Sequence, residues 1–112
     1  MIKDKRIHLE ICPISSLQTG AVTLKPEVGW KSHPLTIFAR DGANFSVNTD
    51  DPTVCGVDLV HEYRCVADKM GLGVEGLVTG VRNAASATFL GPEEKKKLKE
   101  KIEIKLKQLG LA

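Results

Sequence analysis

Two adjacent carboxylates, Asp50 and Asp51, stand between the run Asn44-Phe45-Ser46-Val47 and Pro52. Like charges that close repel, so each needs a backbone N–H, a metal ion or a bound ligand to share. Residue type alone allows three readings. An aspartate before proline caps a turn or a helix. A hard cation of the Mg²⁺ or Ca²⁺ type could take the oxygens, although the oxygen-rich spacing of a calcium loop is absent. A zinc ion could take one carboxylate and leave the other free to hold a substrate. The remaining chemistry is sparser. His8, His33 and His61 have neither HxH nor HExxH spacing, and each reads as a packed or surface histidine before it reads as a ligand. Cys12 precedes Pro13 with no adjacent His or cation to activate it, so it reads as a buried thiol. Ser15 and Ser16 lack the glycines of a nucleophile elbow and read as loop hydrogen-bonding groups.

Composition narrows what such groups can serve. With 112 residues, 42% hydrophobic and 27% charged, the chain is one globular domain at most, neither disordered nor membrane-embedded. No run approaches the roughly 20 apolar residues of a membrane helix, and MIKDKRIHLE lacks the apolar core of a signal peptide, so a cytosolic protein is expected. Cys12, Cys55 and Cys65 form no CxxC pair and suit reduced thiols. A net charge of +2, with the basic residues crowded near the C-terminus rather than beside aromatics, argues against a nucleic-acid partner. The Lys-rich stretch from Glu93 to Lys107 mixes its seven Lys with four Glu and reads as a solvated helix face.

The elements that must position Asp50 and Asp51 can be read from periodicity. A strand is expected over about 6–12, where Ile7, Leu9 and Ile11 alternate with polar residues until Pro13. PISSLQTGAV then reads as a loop. A helix follows over about 32–40, with Ser32 as N-cap and Pro34 in its first turn. Asp41-Gly42 ends it, and a second strand covers about 44–49. Helices are expected over about 58–70, with Leu59, Val60, Tyr63, Val66, Ala67 and Met70 inward, over about 74–87, and over about 92–109. Gly73, Gly76 and Gly80 weaken the second by roughly 1 kcal/mol for each interior glycine. Leu98, Ile102, Leu106 and Leu109 stripe the third, with Glu93–Lys97 and Glu103–Lys107 as helical ion pairs. Strand-helix-strand-helix order implies parallel β/α units, and two strands alone leave unpaired edges, so the pattern looks like a slice of a larger sheet or barrel. Both candidate sites, Cys12 to Ser16 and Asn48 to Pro52, fall where such strands end at their carboxyl side.

HLEICPISSLQTGAV (8–22), HPL (33–35), NFSVNTDDP (44–52), HEYR (61–64), RNAASATFL (82–90) and PEEKKKL (92–98) together resemble the C-terminal part of the adenosine deaminase family, in order, over roughly residues 6 to 100. The resemblance implies an α/β fold, the last two β/α units of a (β/α)₈ TIM barrel with trailing helices. It implies a hydrolase of purine metabolism that converts adenosine or 2′-deoxyadenosine to inosine or 2′-deoxyinosine and ammonia. The family holds one Zn²⁺ with three histidines and one aspartate. By that resemblance Asp50 is the zinc ligand and a catalytic group, and Asp51 binds the purine at N7. The other histidines and a catalytic glutamate would lie upstream, and none of His8, His33 and His61 stands in their positions. The chain by itself is therefore expected to bind zinc weakly and not to deaminate. A different class of reading is a non-catalytic truncated barrel that acts through strand-edge pairing with missing barrel segments or through self-association. A phosphate- or Mg²⁺-binding α/β domain is disfavoured, because no glycine-rich loop joins a strand to a helix.

Overall fold

Strand β1 (Leu9–Ile11) and strand β2 (Phe45–Val47) pair in parallel in the computed structural model, which describes residues 3–112. Leu9 lies opposite Phe45, Glu10 opposite Ser46 and Ile11 opposite Val47. The parallel arrangement is the expected one, but both strands are shorter than 6–12 and 44–49. Arg6 and Asp50 both adopt positive φ (53° and 69°), which breaks the extended backbone before β1 and after β2, and Pro13 starts a helix directly after β1. Alternation along the strands puts Leu9, Ile11, Phe45 and Val47 on one face and Glu10, Ser46 and Asn48 on the other.

Helix α1 (Pro13–Gln18) occupies most of the segment expected to be a loop. PISSLQ contains no glycine, Pro13 pre-sets the first turn, and the loop signal belongs to Thr19-Gly20, where Gly20 turns at φ 80°. A 3₁₀ turn (Gly29–Ser32) leads into α2 (Pro34–Arg40). Its N-cap is His33, not Ser32: the His33 Nδ1 accepts from the Leu35 N–H at 3.0 Å, while the Ser32 hydroxyl accepts from Lys25 N–H and donates to the Gly29 carbonyl. A short helix, α3 (Pro52–Cys55), follows the two aspartates.

Helix α4 (Leu59–Arg64), capped by Asp58, runs into a π-helical turn (Cys65–Lys69) and ends at Met70-Gly71. The expected inward face is only partly correct. Val66 and Met70 are buried, but Leu59 and Val60 are exposed, because the inward place in that first turn belongs to Glu62. Helix α5 (Gly73–Ala87) crosses β2 so closely that a Cβ on Gly80 would stand 3.4 Å from the Phe45 ring. A Cβ there would make an ordinary contact, so the space beside Phe45 does not demand a glycine. Leu35, Phe45, Val47, Cys65, Val66 and Met70 form the core.

Helix α6 (Pro92–Gln108) packs on α5 through Leu106, with Leu98 and Ile102 half-buried; Leu109 lies past its end and is exposed. Glu103 hydrogen-bonds across to Arg82 on α5 (2.7 and 3.1 Å), and the Lys107 charge one turn along its own helix also lowers its carboxyl pKa. The architecture is α/β and mostly helical, with a two-stranded sheet among the described residues. No described helix is long and apolar enough to cross a membrane.

Candidate functional site at the carboxyl end of the strands

Parallel pairing brings both strands' carboxyl ends to one place. The Asn48 N–H donates to the Ile11 carbonyl at 2.8 Å, which carries the pairing one residue beyond β2. Past that point the two segments turn into α1 and α3, tied together by Gln18 Nε2 donating to the Cys55 carbonyl at 3.0 Å. Within this corner the buried Ser15 hydroxyl donates to Asp50 Oδ2 at 2.7 Å. Asp50 itself is exposed and left-handed, a conformation that costs an L-residue roughly 1–2 kcal/mol but that aspartate tolerates better than most.

Asp51 has a different set of partners. Its Oδ1 accepts from the Thr53 and Val54 N–H groups at 3.0 and 3.1 Å, so it caps α3. The two adjacent carboxylates are thus accommodated by turning apart, one toward a hydroxyl on α1 and one toward the open amides of α3. The capping reading of Asp51 is realised, and Asp51 stays exposed beside Asp50.

The other candidates serve the scaffold. His8 lies on the polar face of the sheet, with Nδ1 2.9 Å from Asn44 Oδ1 and Nε2 2.9 Å from Ser46 Oγ. An amide oxygen only accepts, so Nδ1 is the donor to Asn44. Asn48 Nδ2 donates to the same Ser46 hydroxyl at 3.1 Å. His33 caps α2 from a buried position that lowers its pKa by desolvation, and its ring stacks on Trp30. His61 is exposed and bonds Asp58 at 2.7 Å. Cys12 is half-buried rather than buried; that partial burial raises its thiol pKa, and the negative charges of Asp50, Glu62 and Glu10 raise it further, which disfavours the thiolate. No group of three or more His, Cys, Asp or Glu side chains that could hold a metal forms among the described residues. Ser15, expected only to bond within a loop, and Glu62, to which spacing assigns no role, both bear on this corner. The available signal for Ser15 was that both post-strand segments must converge if the strands are parallel neighbours.

The adenosine deaminase family profile matches residues 1–105. The chain belongs to the adenosine deaminase family. Adenosine deaminases of Escherichia coli strains SMS-3-5 and SE11 are each 38% identical over 104 residues, which is 93% of this chain and 30% of theirs. The chain therefore spans about 30% of the length of these curated relatives. The crystal structure of an adenine deaminase from Arthrobacter aurescens superposes with a TM-score of 0.80 at 23% identity, over 95% of this chain and 31% of that one, a likeness of fold. Within this deaminase family fold, the corner holding Asp50, Asp51 and Ser15 lies where an α/β sheet places functional groups.

Proposed function

We propose that this chain is the C-terminal part of a zinc-dependent adenosine deaminase: the last two β/α units of a (β/α)₈ barrel, carrying one zinc ligand, Asp50, and one purine-binding group, Asp51. The observation that carries the reading is the geometry of Asp50, an exposed carboxylate in a left-handed backbone at the strand end, with its Oδ2 aimed by a buried hydroxyl. A buried hydroxyl that orients an exposed carboxylate is the kind of outer partner that steadies a metal ligand. A carboxylate oxygen suits zinc, but catalytic zinc sites use three protein ligands, so the described residues fit one position of the site and the others would come from barrel units outside these 112 residues. When bound, zinc lowers the pKa of a coordinated water so that hydroxide is available near neutral pH. The chain's own residues have narrower tasks: Ser15 holds Asp50 in one orientation, and the α3 N-terminus holds Asp51 next to it, where a protonated carboxyl would donate to a purine ring nitrogen. Adenosine or 2′-deoxyadenosine is the substrate this pair would serve, in a soluble cytosolic enzyme.

The test is deamination of adenosine, followed by ultraviolet absorbance, with the chain alone and mixed with a complementary piece carrying the earlier barrel units. Activity is expected only in the mixture, and Asp50→Ala should abolish it. Activity in the chain alone would overturn the ligand assignment. A second reading rests on a separate observation: both strands of the sheet are edges, and Phe89 is fully exposed. A truncated barrel of this kind could act without catalysis through strand-edge pairing or dimerisation. Sedimentation separates the readings, because a stable soluble oligomer that stays inactive in the mixture favours the module.

A further inference from the structure

The two helices that follow the strand-end aspartates, α3 and α4, have local caps, and the one that carries Ser15 does not. Asp51 caps α3 and Asp58 caps α4 from the preceding residue, but Cys12 makes no side-chain bond to α1. Pro13 has no N–H, so the first open amide of α1 is that of Ile14. Its partner comes from 48 residues away: Glu62 Oε2 on α4 accepts from Ile14 N–H at 3.3 Å. Glu62 is completely buried, and its other oxygen, Oε1, has no hydrogen-bond partner. A buried carboxyl group with one oxygen unpartnered is costly, and a hydrophobe in this place would pack on the core at no such cost. The cost is not explained by α4, which Asp58 already caps. The gain falls on α1, one residue before Ser15.

We propose that Glu62 is a positioning residue for Asp50: by holding the Ile14 amide it fixes the first turn of α1, and through it the Ser15 hydroxyl against Asp50 Oδ2. The effect is relayed through Ser15, since Glu62 bonds Ile14 rather than Asp50. That the relay serves metal binding rests on the deaminase reading above, whereas the relay itself does not.

The experiment is nuclear magnetic resonance on the chain, reading the Asp50 ¹³Cγ signal and the exchange rate of the Ile14 amide, with the melting temperature in parallel. Glu62→Leu is expected to move the Asp50 signal to where Ser15→Ala places it, and to speed Ile14 exchange by about tenfold, as loss of one hydrogen bond would. Glu62→Gln, which keeps the acceptor, should leave the Asp50 signal near its original position. In a Ser15→Ala background Glu62→Leu should move it no further. Glu62→Asp, shorter by one methylene, provides the same reading if the leucine variant does not fold. An Asp50 signal that stays in place while the melting temperature falls would overturn the proposal and leave Glu62 a structural cap. Neither signal depends on zinc or on turnover, so failure of the deaminase reading would show separately, as a reconstituted barrel without activity.

Discussion

At the carboxyl end of the sheet, Asp50 is exposed and left-handed, Asp51 is exposed, and single hydrogen bonds from Ser15, Thr53 and Val54 fix their orientations. One layer behind, Leu35, Phe45, Val47, Cys65, Val66 and Met70 are each no more than 7% exposed and rely on close packing. The difference separates two kinds of precision. The corner is aimed by polar contacts that a small change can redirect, while the layer behind resists change by leaving no room. Substitutions in the first region should therefore alter orientation with little loss of stability, and substitutions in the second should do the reverse.

Phe45→Ala breaks the comparison hardest on the packed side. The ring is the largest fully buried side chain among the described residues, so its removal should cost about 3–5 kcal/mol, read as a lowered urea midpoint. The Ser15→Ala variant should fall far short of that loss while disturbing Asp50.

Two glycines in α5 sharpen the packed side further. A Cβ on Gly76 would stand 2.6 Å from the Leu72 Cβ, an atom that cannot move without its backbone. On Gly80 it would stand 3.4 Å from Phe45, an ordinary contact. Gly76→Ala should therefore destabilise by about 1 kcal/mol despite its better helix propensity, and Gly80→Ala should stabilise by a similar amount. Chemical denaturation of both variants side by side checks the opposite signs.

The same contrast decides what could be read from the sequence. Where side chains pack, periodicity sufficed: Phe45, Val47, Val66 and Met70 all face the core as their spacing requires. The parallel pairing followed from element order. What sequence spacing could not show was partnership across the fold. Ser15 and Asp50 are 35 residues apart, Glu62 and Ile14 48, and nothing local marks either pair. Glu62 is the clearest case, since a glutamate on an amphipathic helix normally faces water, and only a donor on α1 makes its burial sensible. Ser32 is the commoner residue type for a cap, yet its hydroxyl is occupied by Lys25 and Gly29, which leaves the cap of α2 to His33.

His33 offers a smaller test, by pH. Burial lowers its folded pKa below the ordinary 6.5, so on acidification the unfolded chain takes up the proton first. Stability is then fully present above about 6.5 and is lost as the pH falls below it toward the folded value. His33→Asn keeps an N-cap acceptor without a titrating ring, so the acid side of the urea midpoint profile should flatten.

The smallest effect is expected at Arg82 and Glu103, the ion pair joining α5 to α6. Hydrogen bonding from Arg82, more than its charge, holds the Glu103 carboxyl below its usual range, so whatever the pair contributes is present above the ordinary glutamate value and fades as the pH falls through the lowered one. Both groups lie in solvent, where salt screens them and long side chains lose freedom when they pair. Arg82→Ala should leave the melting temperature within error of the original at physiological salt, with any difference shrinking as salt is raised. A marked drop would mean that α6 is held by this pair rather than by Leu106, and that the packing which governs the core does not extend to the last helix.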